Sequence, residues 1–490
     1  MQILEFRWAR AGALLLGLSV CADAVAQAKD AAGKVPITTS SEEARQLYLK
    51  GRELTEKLRA TDARKFYTEA LAKDPGFALA QLGLANSAGT AKEFFDAQKA
   101  AAAMTSKVSE GERLTILGVD AGAKGDFPAQ KGYYTKLVAA FPNDERAHNL
   151  LGIALFGQQD YPAAIEHFKK AVAINPSFST PYNQLGYAYR FVGNYAEAEK
   201  AFKKYIELIP DDPNPYDSYA ELLMKTGRFD DSIKNYEKAL TVDKNFVASY
   251  VGIANNQMFT GRGEEARKTL SRLQAVARHN GERRQAHFWS AMSYIHEGAT
   301  EKALAEIQKM RSLAEADRDL AAASGDDNQV GEILLEAGDL DKAAAKFRET
   351  VEVIERADVP AEAKEAARRN ALWDEARVLI ARGDLAGATA KAEGYSRQVA
   401  VKQNPFEMRQ DHELKGRLAL ARKDHKTAAA ELKQANQQDP RVLYLLAVAQ
   451  GGSGDKAGAR ESAARAADFN GLSANYGYVR AKAKELLTKS

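Results

Sequence analysis

Residues 145–178 read ERAHNLLGIALFGQQDYPAAIEHFKKAVAINPSF, and residues 179–212 read STPYNQLGYAYRFVGNYAEAEKAFKKYIELIPDD. Laid over each other, Gly152 falls on Gly186, Ala164 on Ala198, Phe168 on Phe202 and Pro176 on Pro210, each pair 34 residues apart. The frame runs forward through Ala220 and Ala254, through Ser232 and Ala266, and through Tyr236 and Leu270, while Tyr182, Tyr216 and Tyr250 keep the same step. Backward it passes Leu114, Leu117, Gly118, Tyr134, Leu137 and Pro142, then Leu47, Gly51, Leu54, Ala63, Tyr67, Ala70 and Pro75. A fixed period of this length marks an array of supersecondary units, each burying its apolar face against the next.

Within one unit the large residues recur at i, i+3 and i+7, then again at i, i+4 and i+7, which makes one apolar face on each of two helices. Small residues at the eighth and twentieth positions let the helices approach closely. Proline at the thirty-second stops the second helix, because it lacks an N–H and clashes with the preceding turn. Gly157, Gly193, Gly227 and Gly261 recur between the helices, where a tight turn calls for a positive φ. These spacings resemble the tetratricopeptide repeat, a helix-turn-helix unit of 34 residues. The resemblance implies an all-α fold, a right-handed superhelical solenoid of stacked antiparallel hairpins. Well-formed units are expected at 44–77, 111–144, 145–178, 179–212 and 213–246, with weaker ones at 78–110 and 247–280, giving a regular array over 44–280. Beyond it the period loosens. Gly298-x4-Ala303, Gly338-x4-Ala343, Gly383-x4-Ala388 and Gly454-x4-Ala459, with Lys423-x4-Ala428 as a variant, stand 31 to 45 residues apart. The segment 281–472 is therefore expected to hold degenerate helical hairpins with longer helices or insertions, and 473–490 a C-terminal capping helix.

The amino terminus carries an export signal. Arg7 and Arg10 precede the apolar run Ala11–Val20, and Ala24-Val25-Ala26 offers a small-x-small cleavage site. Ten apolar residues fall short of the roughly 20 that span a bilayer. Cleavage after Ala26 would remove Cys21, the only cysteine of the chain, and leave a periplasmic or extracellular protein held together by packing alone. Leu18-Ser19-Val20-Cys21 is similar to a lipoprotein box, so an envelope lipoprotein anchored through Cys21 is the alternative, with Val20 standing where that pattern takes a smaller residue. Residues 27–43 read as a flexible linker. Lys+Arg 69 against Asp+Glu 66 in 490 residues gives a net charge of +3 with no strongly basic stretch, which argues against nucleic acid as a partner.

No catalytic constellation is visible. The histidines 148, 167, 279, 287, 296, 412 and 425 form no His-Glu-x-x-His pair, so neither a metal site nor a cofactor is expected. His148 and His287 sit at the fourth repeat position and read as packed structural residues. Gly261-Arg-Gly263-Glu-Glu-Ala266 follows no strand, so it is not a dinucleotide loop; Gly451-Gly-Ser-Gly454 lacks phosphate-loop spacing, and a Gly-x-Ser-x-Gly elbow is missing.

In tetratricopeptide arrays the first helices line the inner face, with the second, fifth, ninth and twelfth positions directed into it. Carried over, the fifth, ninth and twelfth are Asn149, Ile153 and Phe156; Asn183, Tyr187 and Arg190; Asp217, Glu221 and Met224; and Val251, Asn255 and Met258. Amides suit a peptide backbone, Phe156, Met224 and Met258 an apolar side chain, and Arg190 beside Asp217 and Glu221 a polar one. The plainer alternative is that these residues half bury against neighbouring hairpins and pair among themselves. The lysine and asparagine clamp by which some family members hold the C-terminal carboxylate of chaperones is absent, Asn149 and Ile153 standing in those places. The resemblance implies a non-enzymatic scaffold binding a protein or peptide ligand, in a bacterial envelope where similar arrays serve secretion, pilus or polysaccharide-export assemblies. Alternatives are a solenoid that binds a small molecule or glycan, and an envelope hydrolase of unknown type.

Overall fold

A computed structural model describes residues 33–489; the expected signal segment 1–26, with its expected cleavage site and Cys21, lies outside the described residues. Every regular element among the described residues is helical, and the helices follow one another as antiparallel pairs. The pairs are α1 and α2 (Glu42–Glu56, Ala60–Lys73), α3 and α4 (Ala78–Asn86, Ala91–Ala103), α5 and α6 (Glu110–Ala123, Phe127–Ala140), α7 and α8 (Glu145–Gly157, Tyr161–Ile174), and α9 and α10 (Ser179–Phe191, Tyr195–Leu208). Next come α11 and α12 (Pro213–Lys225, Phe229–Val242), α13 and α14 (Val247–Phe259, Gly263–Val276), α15 and α16 (Asn280–His296, Thr300–Ala316), and α17 and α18 (Leu320–Ala337, Leu340–Arg356). The chain continues with α19 and α20 (Ala361–Arg382, Leu385–Lys402), α21 and α22 (Pro405–Ala421, His425–Gln434), α23 and α24 (Pro440–Gly452, Lys456–Ala467), and the single helix α25 (Tyr476–Lys489).

The small residue at position eight has a specific use. A Cβ on Gly186 would stand 2.5 Å from the Phe202 ring, one on Gly152 2.5 Å from Phe168, and one on Gly51 2.8 Å from Tyr67. In each case a glycine of the first helix receives the ring of an aromatic sixteen residues on. The same offset pairs Gly331 with Phe347 and Gly416 with Leu432 in the loosely periodic part, at 2.5 and 2.6 Å. The hairpin therefore persists there unchanged, and the loosening lies in helix length: α7–α14 have 13 or 14 residues, whereas α15–α21 have 17 to 22.

The turn inside most hairpins follows one rule. Gly193, Gly227, Gly261, Gly298, Gly338, Gly383 and Gly454 all have φ between 73° and 88°, and Lys423 takes the same turn at 62°. An Asp or Asn commonly follows and caps the next helix: Asn194 accepts from Glu197 N, and Asp339, Asp384, Asp424 and Asp455 cap α18, α20, α22 and α24. Gly157 does not belong to this series. It closes α7 in helical conformation, and the left-handed residue of that turn is Gln159, at φ 66°.

Two compact units make up the chain, residues 1–222 and 223–490, so the division by compactness falls within α11, well before residue 281 where the period loosens. In the second unit α25 does more than cap the last hairpin. Its Tyr476 hydroxyl donates to the Met258 sulfur (3.3 Å) and its ring meets Phe259 edge-on, while Arg480 lies over Phe259, so the helix packs on α13 at the start of the same unit. In the first unit, residues 33–41 are not a free linker. After a turn at Gly33-Lys34, residues 35–39 run without regular structure across the hairpins to a bend at Ser40, with Val35 buried against Gly111 and Phe141.

Candidate functional site

The groove residues expected from the repeat frame turn out to be mostly closed. Asn149, Asn183, Tyr187, Asp217, Glu221, Met224, Asn255 and Met258 are all buried, and Ile153, Phe156 and Arg190 are half-exposed. The expectation of an open inner face through residue 258 is corrected accordingly. In the first unit the cause is mutual pairing. Tyr187 donates its hydroxyl proton to Glu221 Oε1 (3.1 Å) with Ser218 Oγ beside the same oxygen at 3.3 Å, and Arg190 Nη1 donates to Glu221 Oε2 (3.1 Å). Burial, reinforced by the neighbouring Glu221 charge, pushes the Tyr187 phenol well above its usual range, so it acts as a donor at any ordinary pH. In the second unit Met258 lies under Tyr476, and Asn255 Nδ2 bonds back to the Val251 carbonyl at 2.9 Å. Asn149 Oδ1 and Asn183 Oδ1, one repeat apart, are buried and accept no hydrogen bond.

What stays accessible is the edge where α7 and α9 end. Tyr161 and Phe191 stack with ring centroids 4.9 Å apart and an interplanar angle of 5°, and Phe156 meets both edge-on at 5.2 and 5.5 Å. The Arg190 guanidinium lies 4.8 Å from the Tyr187 ring and 5.1 Å from Phe191. Beside them Val192 and Tyr195 are 46% and 40% exposed, the two large hydrophobic side chains most open to solvent among the described residues of the first unit. Neither Tyr161 nor Phe191 stands at an inner-face position of the repeat frame. Their signal in the sequence was the density of aromatics around the Gly193 turn.

His148 and His167 come together across α7 and α8, with Nδ1 atoms 3.1 Å apart. His148 Nε2 faces the Pro142 carbonyl at 3.0 Å and must carry the proton, so His148 Nδ1 accepts from His167 Nδ1–H. Both rings are thereby satisfied as neutral imidazoles. Burial, and then the mutual charge of the pair, lowers His167 to about 4, and burial lowers His148 as well. The same offset of nineteen joins His287 to Glu306 and His412 to Glu431, each at 2.7 Å, so the structural reading of His148 and His287 holds.

The inner face of the second unit is filled with charge. Arg377 forks onto Glu332, and Arg441 reaches the same carboxylate at 3.1 Å and Glu336 at 3.3 Å. Asp374 sits between Arg377 (3.2 Å) and Asn328 (3.0 Å); burial pushes its carboxyl up to about 7, aided by Glu332 and opposed by Arg377. Trp373 and Trp289 are core residues, Trp373 lying under the Arg377 guanidinium at 4.1 Å. Among the described residues no group of three or more His, Cys, Asp or Glu is arranged to hold a metal ion, and no helix is long and apolar enough to cross a membrane.

Sequence profiles described as tetratricopeptide repeat match residues 145–178, 179–212 and 223–287. This is a tetratricopeptide-repeat protein. Similar solved structures include a tetratricopeptide repeat protein from Parabacteroides merdae ATCC 43184, at 15% identity over 56% of this chain and 94% of that one, TM-score 0.36. Others are a thermophilic protein of the same kind from Thermus thermophilus (20% identity, 44% and 99% covered, TM-score 0.29), and the APC/C hetero-tetramer Cut9-Hcn1 (14%, 86% and 76%, TM-score 0.39). No curated protein matches the chain. Tetratricopeptide-repeat proteins are in general protein–protein interaction scaffolds.

Proposed function

We propose that this tetratricopeptide-repeat protein is an exported, non-enzymatic scaffold of the bacterial envelope that binds a segment of a partner protein at the edge of the first unit's inner face. The observation that carries the site is the exposed pair Val192 and Tyr195 beside the Tyr161–Phe191 stack and Arg190. Apolar side chains exposed next to a rigid aromatic stack and a cation have the make-up of interface hot spots, where aromatic residues and Arg dominate. Most of the inner face is shut by its own hydrogen bonds, so a partner meets this rim rather than a deep channel.

The export part rests on Arg7, Arg10, the apolar run and Ala24-Val25-Ala26. Mass spectrometry of the mature protein should find Gln27 at its amino terminus; a lipid-modified Cys21 would make it an envelope lipoprotein. The binding site is tested by affinity capture from the native envelope with the wild-type chain and with Phe191→Ala/Tyr195→Ala. The variant should lose the partner while its helix content stays constant, and full retention would overturn the assignment.

A further inference from the structure

Residues 33–41 lie on the first unit as a ligand lies on a receptor. Val35 N–H donates to Asp144 Oδ2 (2.9 Å), Thr38 N–H to Glu112 Oε1 (3.1 Å) and Ser40 N–H to Asp74 Oδ2 (2.8 Å). Side chains repeat the pattern: Thr38 Oγ1 donates to Glu112 Oε2 (2.6 Å), Thr39 Oγ1 to Asp74 Oδ2 (2.5 Å), and Lys34 pairs with Glu145. Asp74, Glu112 and the Asp144-Glu145 pair belong to three successive junctions between hairpins, before α3, at the start of α5 and at the start of α7. The carboxylates are thus met at intervals of two and three strap residues. Extended chain rises about 3.3 Å per residue, so these intervals span ~7–10 Å, the distance at which packed helices follow one another, about 8–10 Å. One junction is read per step.

The ledge also has an apolar notch. Val35 sits where Gly111 lacks a side chain, and a Cβ there would overlap Val35 and meet the Phe141 ring at 2.9 Å. Pro36 comes at a step where no backbone donor is used, and its fixed φ favours extended chain. Glu112 is fully buried, and two of the donors that satisfy its carboxylate come from Thr38. These features select an extended segment with a basic residue, a β-branched residue next to it, and Thr or Ser three to five positions on.

We propose that the row Asp74, Glu112, Asp144 and Glu145 with the Gly111 notch is a binding ledge for an extended polypeptide segment of a partner, and that residues 33–41 occupy it in cis until such a segment displaces them. The ledge is distinct from the Phe191 edge and does not depend on that assignment. A short tether gives the strap an effective concentration on the order of 1 mM. If the strap's own intrinsic Kd for the ledge is ~10–100 μM, a competing segment would then bind the intact chain about 10- to 100-fold more weakly than a chain whose strap is released.

The probe is a fluorescein-labelled peptide of residues 33–42, GKVPITTSSE, titrated by anisotropy against the full mature chain. Val35→Asp/Thr38→Pro, which places a charge in the notch and removes both Thr38 donors, should bind it at least about tenfold more tightly than wild type. Adding Gly111→Ala, which fills the notch, should remove that gain. Equal binding by wild type and the strap variant, or no loss with Gly111→Ala, overturns the proposal. A second measurement holds even where the strap variant folds poorly: millimolar unlabelled peptide should raise deuterium uptake of residues 33–41 in the wild-type chain, and unchanged uptake refutes displacement.

Discussion

The contact between Gly186 and Phe202 can be tested with one methyl group. A Cβ at residue 186 would lie 2.5 Å from two atoms of the Phe202 ring, about 0.9 Å inside ordinary van der Waals contact, and Phe202 is fully buried with no room to retreat. Overpacking of this kind costs about 1–3 kcal/mol, while Ala in place of Gly inside a helix returns roughly 0.5–1 kcal/mol. Gly186→Ala should therefore destabilise by about 1–2 kcal/mol, or ~2–8 °C in the unfolding midpoint of a unit of this size. Gly157→Ala is the internal control. It too is helical, but nothing lies within 4 Å of its added Cβ, so it should stabilise by roughly 0.5–1 kcal/mol. Urea unfolding followed by circular dichroism reads both, and Gly186→Ala/Phe202→Leu closes a double-mutant cycle with a favourable coupling of about 0.5–2 kcal/mol. If Gly186→Ala stabilises as much as Gly157→Ala, the ring is not wedged against the glycine and the account of the repeat frame fails.

Gln159→Gly should raise stability by about 1 kcal/mol, because it relieves a left-handed residue that its neighbours in the array supply as glycine. The His148–His167 pair is bound in its neutral form, and His167 has a folded value of about 4 against 6.5 unfolded; stability should be complete above pH 6.5 and fall by about 2 kcal/mol, after allowing for half exposure, as pH drops to 4. His167→Gln should flatten that slope in pH-dependent urea melts. In the second unit, Glu332→Gln leaves Arg377 and Arg441 buried without their shared carboxylate, and a loss of about 3–5 kcal/mol in chemical denaturation is expected. A loss below ~1 kcal/mol would mean that solvent or Glu336 takes over the pairing.

The sequence by itself determined the hairpin. Gly152 with Phe168 and Gly186 with Phe202 sit on adjacent helices of one unit, so their fit is local and repeats wherever the offset of sixteen repeats, including Gly331 with Phe347, where the 34-residue period is lost. The αL turn was equally legible, except that Gly157 looked like its marker while Gln159 holds the position. Only the tertiary structure decided what the inner face does. Whether Tyr187, Glu221 or Met258 faces a ligand depends on residues brought from other hairpins, such as Ser218 against Tyr187 and Tyr476 against Met258, the latter 218 residues away. The strap was hidden for the same reason. Residues 33–41 carry no periodic pattern and read as a linker, and their order comes from Asp74, Glu112 and Asp144, up to 109 positions downstream, which become neighbours only when the hairpins stack.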